Sequence, residues 1–337
     1  MKRQTFLKAV LYCSLMVMVI LSTQVRAQPS SSRGRGLYGD WLVKVDYDRG
    51  QFESILYFSR DKEGKQIGHW ISFMGVTELK DLKLEENKLS FVQVYRFGEN
   101  EFSSNFTGTI EDGKLTGTLS SDRGETKVEG KRSQRMPRAV GNWATKFKIG
   151  DREITLTLVI KADKEGKLTG NWQSQRGESP ITDVQYERGN LTFKRTSTYQ
   201  GNKRESTFEG TIRGDTLSGV MKSERGEITI EGKLIGAPVI GTWNLEIASE
   251  QGSRKQRLKV NPDMSGLYGT IPIKKVNLEG DQVSFETVLK FGEQEYKISF
   301  EGKLEDSKLS GELTTSRGTQ KVKGTKVIRT FRRRSTT

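Results

Sequence analysis

A single histidine, His69, and a single cysteine, Cys13, occur in the 337 residues. That scarcity limits the chemistry open to the chain. A serine–histidine–acid triad needs a base, and only His69 offers one. It precedes Trp70 on an expected strand, and the matching positions further along are Asn171 and Thr270, so the scaffold does not require it. One imidazole without a thiol cannot supply the usual ligands of zinc. Carboxylates are plentiful, among them Asp122, Glu125, Glu178, Glu224, Glu227 and Asp306. Each falls in or near a turn beside Lys or Arg, which keeps it ionised. Glycoside hydrolysis instead needs one carboxyl group with a raised pKa. No Asp-x-Asp-x-Asp-Gly loop is present for calcium, and no Gly-rich phosphate loop opens a helix. The expectation is a chain that is not an enzyme, with no catalytic, metal or cofactor residues.

The most function-like residues are arginines that recur in phase. Arg123-Gly124, Arg225-Gly226 and Arg317-Gly318 stand at one place in each of three similar segments. Arg176, in Ser174-Gln175-Arg176-Gly177, adds a fourth. Guanidinium groups repeated along a chain suit a repeating anionic ligand, with avidity from linkage. A hairpin turn that needs glycine, with its arginine exposed or laid on an aromatic ring, gives the same pattern. These four arginines are the candidate binding residues.

What must position them is a tandem repeat. Gly39-Asp40-Trp41, Gly141-Asn142-Trp143 and Gly241-Thr242-Trp243 share a phase with Phe106-Thr107-Gly108, Phe208-Glu209-Gly210 and Phe300-Glu301-Gly302. A turn and Leu-Thr/Ser-Gly follow each of the latter. Repeated blocks in one order mean repeated modules, here 39–133, 141–235 and 241–328, with Pro137 and Pro238 in the gaps. Trp41, Trp143 and Trp243 are expected as buried plugs. Trp70 and Trp172 also match, with Ile271 in the third module, and read as core.

The second module shows the element type most clearly. Ile154, Leu156, Leu158 and Ile160 alternate with more polar neighbours, as in a half-buried strand. Short turns bearing Gly or Asn join this run to further strands, eight in all. Connections so short make sequential neighbours antiparallel. Eight such strands expose two edges unless the sheet closes, and an up-and-down barrel removes both. The fold class expected is therefore all-β, three tandem antiparallel eight-stranded barrel-like modules. An open sheet running through all three repeats is the alternative, but the alternation asks for one dry face. Bulky inward residues point to filled interiors. A small apolar ligand suits module 1 best, where Phe52, Leu56 and Phe58 share a face.

Gly-x-Trp on the first strand of a short-turned meander resembles the calycin group, the lipocalin-like and avidin-like barrels, and is similar to small repeated β modules of secreted bacterial proteins. The resemblance covers each repeat. It implies that the tryptophan plugs the closed end of a barrel, with an arginine from late in the chain across it. Arg123, Arg225 and Arg317 are the positions this points to. It also implies a carrier of a small lipophilic or glycan-derived ligand as one function; an accessory part of a secreted hydrolase is another.

Lys2, Arg3 and Lys8, the apolar run from Ala9 to Leu21 and Val25-Arg26-Ala27 form a signal-peptide pattern, with cleavage expected after Ala27. Cys13 lies inside it, so the remainder has no thiol. That places the mature chain outside the cytosol, secreted or periplasmic. The net charge of +14 falls to +10 without those residues. The excess sits in the leader 28–38 (Arg33, Arg35), the first gap (Lys131, Arg132, Arg135, Arg138) and the tail 329–337 (Arg329, Arg332, Arg333, Arg334). These are solvated linkers, or they attach the protein to an anionic surface or polysaccharide. Aromatics do not interleave with them apart from Phe331, so specific nucleic-acid recognition is not expected. The sequence thus reads as a secreted binding or envelope-structural protein whose surface turns meet the partner.

Overall fold

The computed structural model describes residues 37–47, 50–97, 100–175, 177–199, 202–249 and 252–328. The expected signal segment with Cys13, the leader arginines, Arg176 and the basic tail lie outside the described residues. No described residue is helical.

Barrel 1 runs β1 (Gly39–Tyr47), β2 (Gly50–Arg60), β3 (Gln66–Ile71), β4 (Val76–Glu85), β5 (Lys88–Phe97), β6 (Asn100–Glu111), β7 (Lys114–Ser121) and β8 (Gly124–Arg132). Barrel 2 runs β9 (Gly141–Ile149), β10 (Arg152–Ala162), β11 (Leu168–Ser174), β12 (Gly177–Glu187), β13 (Asn190–Tyr199), β14 (Asn202–Arg213), β15 (Thr216–Ser223) and β16 (Gly226–Leu234). Both are closed and antiparallel, each strand pairing with its sequence neighbours and the last with the first. Barrel 3 contains β17 (Gly241–Ser249), β18 (Gly252–Val260), β19 (Gly266–Tyr268), β20 (Ile271–Ile273), β21 (Val276–Glu279), β22 (Gln282–Phe291), β23 (Gln294–Glu305), β24 (Lys308–Thr315) and β25 (Gly318–Lys326).

Barrel 3 departs from the expected eight strands: it is a nine-stranded sheet whose ends, β20 and β21, do not pair. The cause lies in one strand. β4 and β12 each carry a bulge, at Asp81 and Asp183, both with positive φ. At the matching place in barrel 3 the ladder breaks between Ile273 and Val276, which splits the strand in two. Pro272, with no N–H to give, precedes the break. The hydroxyl of Thr287 on β22 donates to the Pro272 carbonyl at 2.6 Å and bridges the gap.

The repeated motifs are explained by the interior. Trp41 lies opposite Leu56, which lies opposite Trp70. Trp143, Leu158 and Trp172 repeat this rung, and Trp243, Leu258 and Tyr268 repeat it again. All nine side chains are buried, and each ring contributes on the order of 2–3 kcal/mol of burial. Tyr268, not Ile271, therefore matches Trp70 and Trp172. The turn from β18 to β19 is as long as its counterparts, but the paired arms between it and the rung are shorter, so a fixed repeat length counts past the ring. The same shortening makes Leu267, not Thr270, the counterpart of His69.

Phe106 stacks on Phe91 at 4.6 Å, Phe208 on Phe193 at 4.7 Å and Phe300 on Phe285 at 5.3 Å. Phe106, Phe208 and Phe300 each sit close against a pair of facing glycines, Gly108 with Gly117, Gly210 with Gly219 and Gly302 with Gly311. A Cβ on Gly108 or Gly117 would stand 2.6 Å from the Phe106 ring. That close approach is why Phe-x-Gly and Leu-x-Gly recur together.

Candidate functional site

The recurring arginines occupy the hairpins β7–β8, β15–β16 and β24–β25. The N–H groups of Arg123, Arg225 and Arg317 donate to the hydroxyls of Ser121, Ser223 and Thr315 at 3.2, 3.3 and 3.2 Å. The next residues, Gly124, Gly226 and Gly318, take φ of 111°, 111° and 113°, which favours glycine. All three arginine side chains are exposed. Arg123 lies 4.8 Å from the Phe102 ring. No contact brings the three together.

Trp41, Trp143 and Trp243 are fully buried at the end where each barrel's first strand begins. The indole N–H of Trp143 donates to Ala139 at 3.0 Å, and that of Trp243 to Val239 at 2.8 Å, so the connecting segments cap these ends. The cation across the tryptophan comes from the last strand rather than the arginine turn. Arg132 lies 5.9 Å over Trp41 and donates to the Tyr38 carbonyl. Lys326 lies 5.5 Å over Trp243 and donates to the Pro238 carbonyl at 2.6 Å. Barrel 2 has Leu234 at this position.

The most elaborate arrangement lies where barrels 1 and 3 meet. Strand alternation turns Asp40, Tyr57, His69 and Glu78 to the outside of barrel 1, and register sets them side by side across β1 to β4. Facing them is β18, whose outward residues are Lys255, Arg257 and Lys259. Arg257 pairs with Asp40 at 2.8 Å and Lys259 with the same carboxylate at 3.2 Å. The Arg257 and Asp40 side chains are only 6% and 13% exposed. Arg257 also lies 5.6 Å over the Tyr57 ring, which stacks on His69 at 6.1 Å.

A hairpin completes the contact. Ser72-Phe73-Met74-Gly75, between β3 and β4, reaches the open end of barrel 3. Gln256, 1% exposed and facing inward there, donates to the carbonyls of Ser72 (3.0 Å) and Phe73 (3.3 Å). Arg254 donates to the Met74 carbonyl at 3.1 Å and to the Tyr268 hydroxyl at 3.2 Å. Phe73 packs on the core of barrel 3. It also forms an aromatic group with Phe52 and Phe291, with ring separations of 5.8–6.4 Å.

Around this hairpin opens a cleft of about 2270 Å³. Phe52, Trp70, Phe73 and Tyr95 line it from barrel 1 and Phe291 from barrel 3, among charged side chains that include Arg60, Glu78, Lys80, Arg254 and Lys255. Phe291 is 44% and Met74 52% exposed at its rim.

Electrostatics at the junction are those of docking. Burial pushes the Asp40 carboxyl up, but the charges and hydrogen bonds of Arg257 and Lys259 outweigh it and hold the group below the usual carboxylate range. Burial lowers the His69 imidazole; Glu78 opposes this, and Arg257 and Lys255 reinforce it. His69 Nδ1 and Arg257 Nη2 are sealed from solvent without hydrogen-bond partners. Among the described residues no group of three or more His, Cys, Asp or Glu is placed to hold a metal.

Sequence reasoning passed over this junction because it does not repeat. Where barrel 1 has Asp40, the others have Asn142 and Thr242; where β18 has Lys255, Arg257 and Lys259, β10 has Thr155, Thr157 and Val159. Those departures were the available signal.

No protein-family model and no curated protein matches the chain. Similar solved structures include a candidate outer membrane protein of Bacteroides fragilis (15% identity, 58% of this chain and 94% of that one, TM-score 0.26). Another is a transferrin-binding protein B of Haemophilus parasuis (12%, 86% and 76%, TM-score 0.19). A third is a Nostoc punctiforme protein of unknown function (11%, 86% and 96%, TM-score 0.20). At such TM-scores no ligand or partner carries over from them. Strand pairing within the chain itself establishes two closed eight-stranded antiparallel barrels and a third almost closed.

Proposed function

We propose that this is a non-enzymatic binding protein, acting outside the cytosol, that holds an apolar ligand in the cleft between barrels 1 and 3. The observation that carries the reading is the aromatic part of that cleft's lining. Phe52, Phe73 and Phe291 form an aromatic wall with a partly exposed edge. Phe73 comes from a hairpin, whereas Phe52, Trp70 and Tyr95 face the interior of barrel 1, so the ligand lies between that interior and the hairpin. The N-terminal charge and apolar pattern supports export.

A ligand that binds only the folded protein raises its melting temperature. Purified protein heated with lipid extracts is expected to melt higher than protein alone. Phe291→Ala removes a partly exposed ring and is expected to erase most of that rise without lowering the unliganded melting point by more than a few degrees. A rise of equal size in Phe291→Ala, or none in the natural protein across broad lipid pools, refutes the reading.

A further inference from the structure

The three barrel interiors agree around the tryptophan rung and diverge toward the opposite end, where the β13–β14 hairpin and its counterparts turn. Two residues beyond Phe91, Phe193 and Phe285 stand Gln93, Arg195 and Thr287, facing inward on the same side of the strand. The next inward pair is Tyr95 with Phe102 in barrel 1 and Leu289 with Tyr296 in barrel 3. In barrel 2 it is Ser197 with Arg204. Barrels 1 and 3 close this end with rings and aliphatic carbon; barrel 2 lines it with arginine and serine.

Arg195 is the informative member. Its guanidinium lies 5.2 Å over the Trp172 ring, inside the barrel. Nη2 donates to Ser179 Oγ at 3.3 Å, and buried Nε has no partner. Burial is the sole influence on its acidity, lowering its pKa, and no carboxylate opposes it. Glu178 and Glu205 take outward positions, and Glu178 is engaged by Asn171 and Gln173. Arg195 is half-buried with no counter-ion beside it, and its five donors are almost unused. Trp172 lies against one side of the guanidinium. Only Nε among its unpaired nitrogens is sealed off, so the Nη edge is what an entering group meets. That planar edge matches two oxygens of a carboxylate or phosphate.

We propose that the mouth of barrel 2 is an oxyanion-binding site, taking a carboxylate or phosphate group of a ligand on Arg195. The site is separate from the apolar cleft between barrels 1 and 3, and neither reading depends on the other.

The test uses the full chain with inorganic phosphate and with acetate, titrated at constant ionic strength against chloride and followed by melting temperature and calorimetry. One or both anions are expected to bind saturably, and the stronger identifies phosphoryl or carboxyl chemistry. Arg195→Met should weaken that binding about tenfold or more, while melting in chloride close to the natural temperature, since only a half-buried charge without a counter-ion is lost. Gln93→Met, at the matching place in barrel 1, should leave anion binding unchanged. Arg195→Lys keeps the charge and loses the fork; it should weaken binding and serves if the methionine variant fails to fold. Equal affinity in Arg195→Met or Arg195→Lys and the natural protein, or no saturable response to either anion, overturns the proposal.

Discussion

The outer face of barrel 1 and the same face of barrel 2 are built on one strand pattern, yet only the first is committed to a neighbour through charge. Asp40 of barrel 1 meets Arg257 and Lys259, with both Asp40 and Arg257 largely hidden from water. Asn142 occupies the equivalent place in barrel 2. The hairpins differ likewise: Phe73 enters the end of barrel 3, whereas its counterpart Gln175 is exposed. Barrel closure comes from what the modules share, and docking comes from where they differ. Because the modules share a scaffold, matched substitutions in barrels 1 and 2 isolate docking from folding.

The largest contrast is expected for Asp40→Ala. It leaves Arg257 buried without its partner, which costs about 3–5 kcal/mol, while Asn142→Ala should stay within about 0.5 kcal/mol. Urea unfolding of both variants measures this, and equal losses would break the comparison. Phe73→Ala is expected to cost about 2–3 kcal/mol, toward the low end for an aromatic truncation because the ring is only partly buried. Gln175→Ala should cost almost nothing.

A pH series sharpens the same contrast. The folded His69 binds its proton more weakly than the unfolded residue. Its contribution is therefore complete above the ordinary value of 6.5 and declines as pH falls below it. Charging the imidazole there sets it against Arg257 and Lys255, with Glu78 offering partial relief and Tyr57 stacked on the ring. Asp40 adds a separate loss at stronger acidity: its contribution is intact above 3.8 and disappears as pH drops through its lowered folded value. As the only histidine, His69 gives one imidazole resonance to follow by NMR, and His69→Gln should abolish the first decline alone. A folded His69 pKa at or above 6.5 contradicts this account. The smallest effects belong to the arginine turns. Arg225→Ala and Arg317→Ala should each change stability by less than about 0.5 kcal/mol. Arg123→Ala, which gives up its place over Phe102, should lose about 0.5–1 kcal/mol.

Much of the architecture was legible in the sequence because closure rests on short-range regularities. Alternation in Ile154–Ile160 and the Gly-bearing turns specify neighbouring antiparallel strands, and a sheet with buried edges closes on itself. The break at Ile273–Val276 was not legible, since a bulge and a break differ by two residues of ladder geometry. Nor was the match of Tyr268 to Trp172, because a shortened hairpin upsets a fixed repeat count. The Asp40–Arg257 pair joins residues 217 apart in the chain, and no local pattern predicts which face of which module meets another. Arg195 was hidden for a different reason: an arginine on a Thr/Ser-rich strand reads as solvated until its register with Phe193 turns it inward.

The hairpin seated in barrel 3 has a consequence for the order of events during synthesis. Ser72 and the Gln256 that receives it are 184 residues apart. At ordinary elongation rates roughly 10–40 s pass before the socket for Phe73 emerges from the ribosome. Until then Phe73 has no socket, so docking of the hairpin waits on synthesis of the third module.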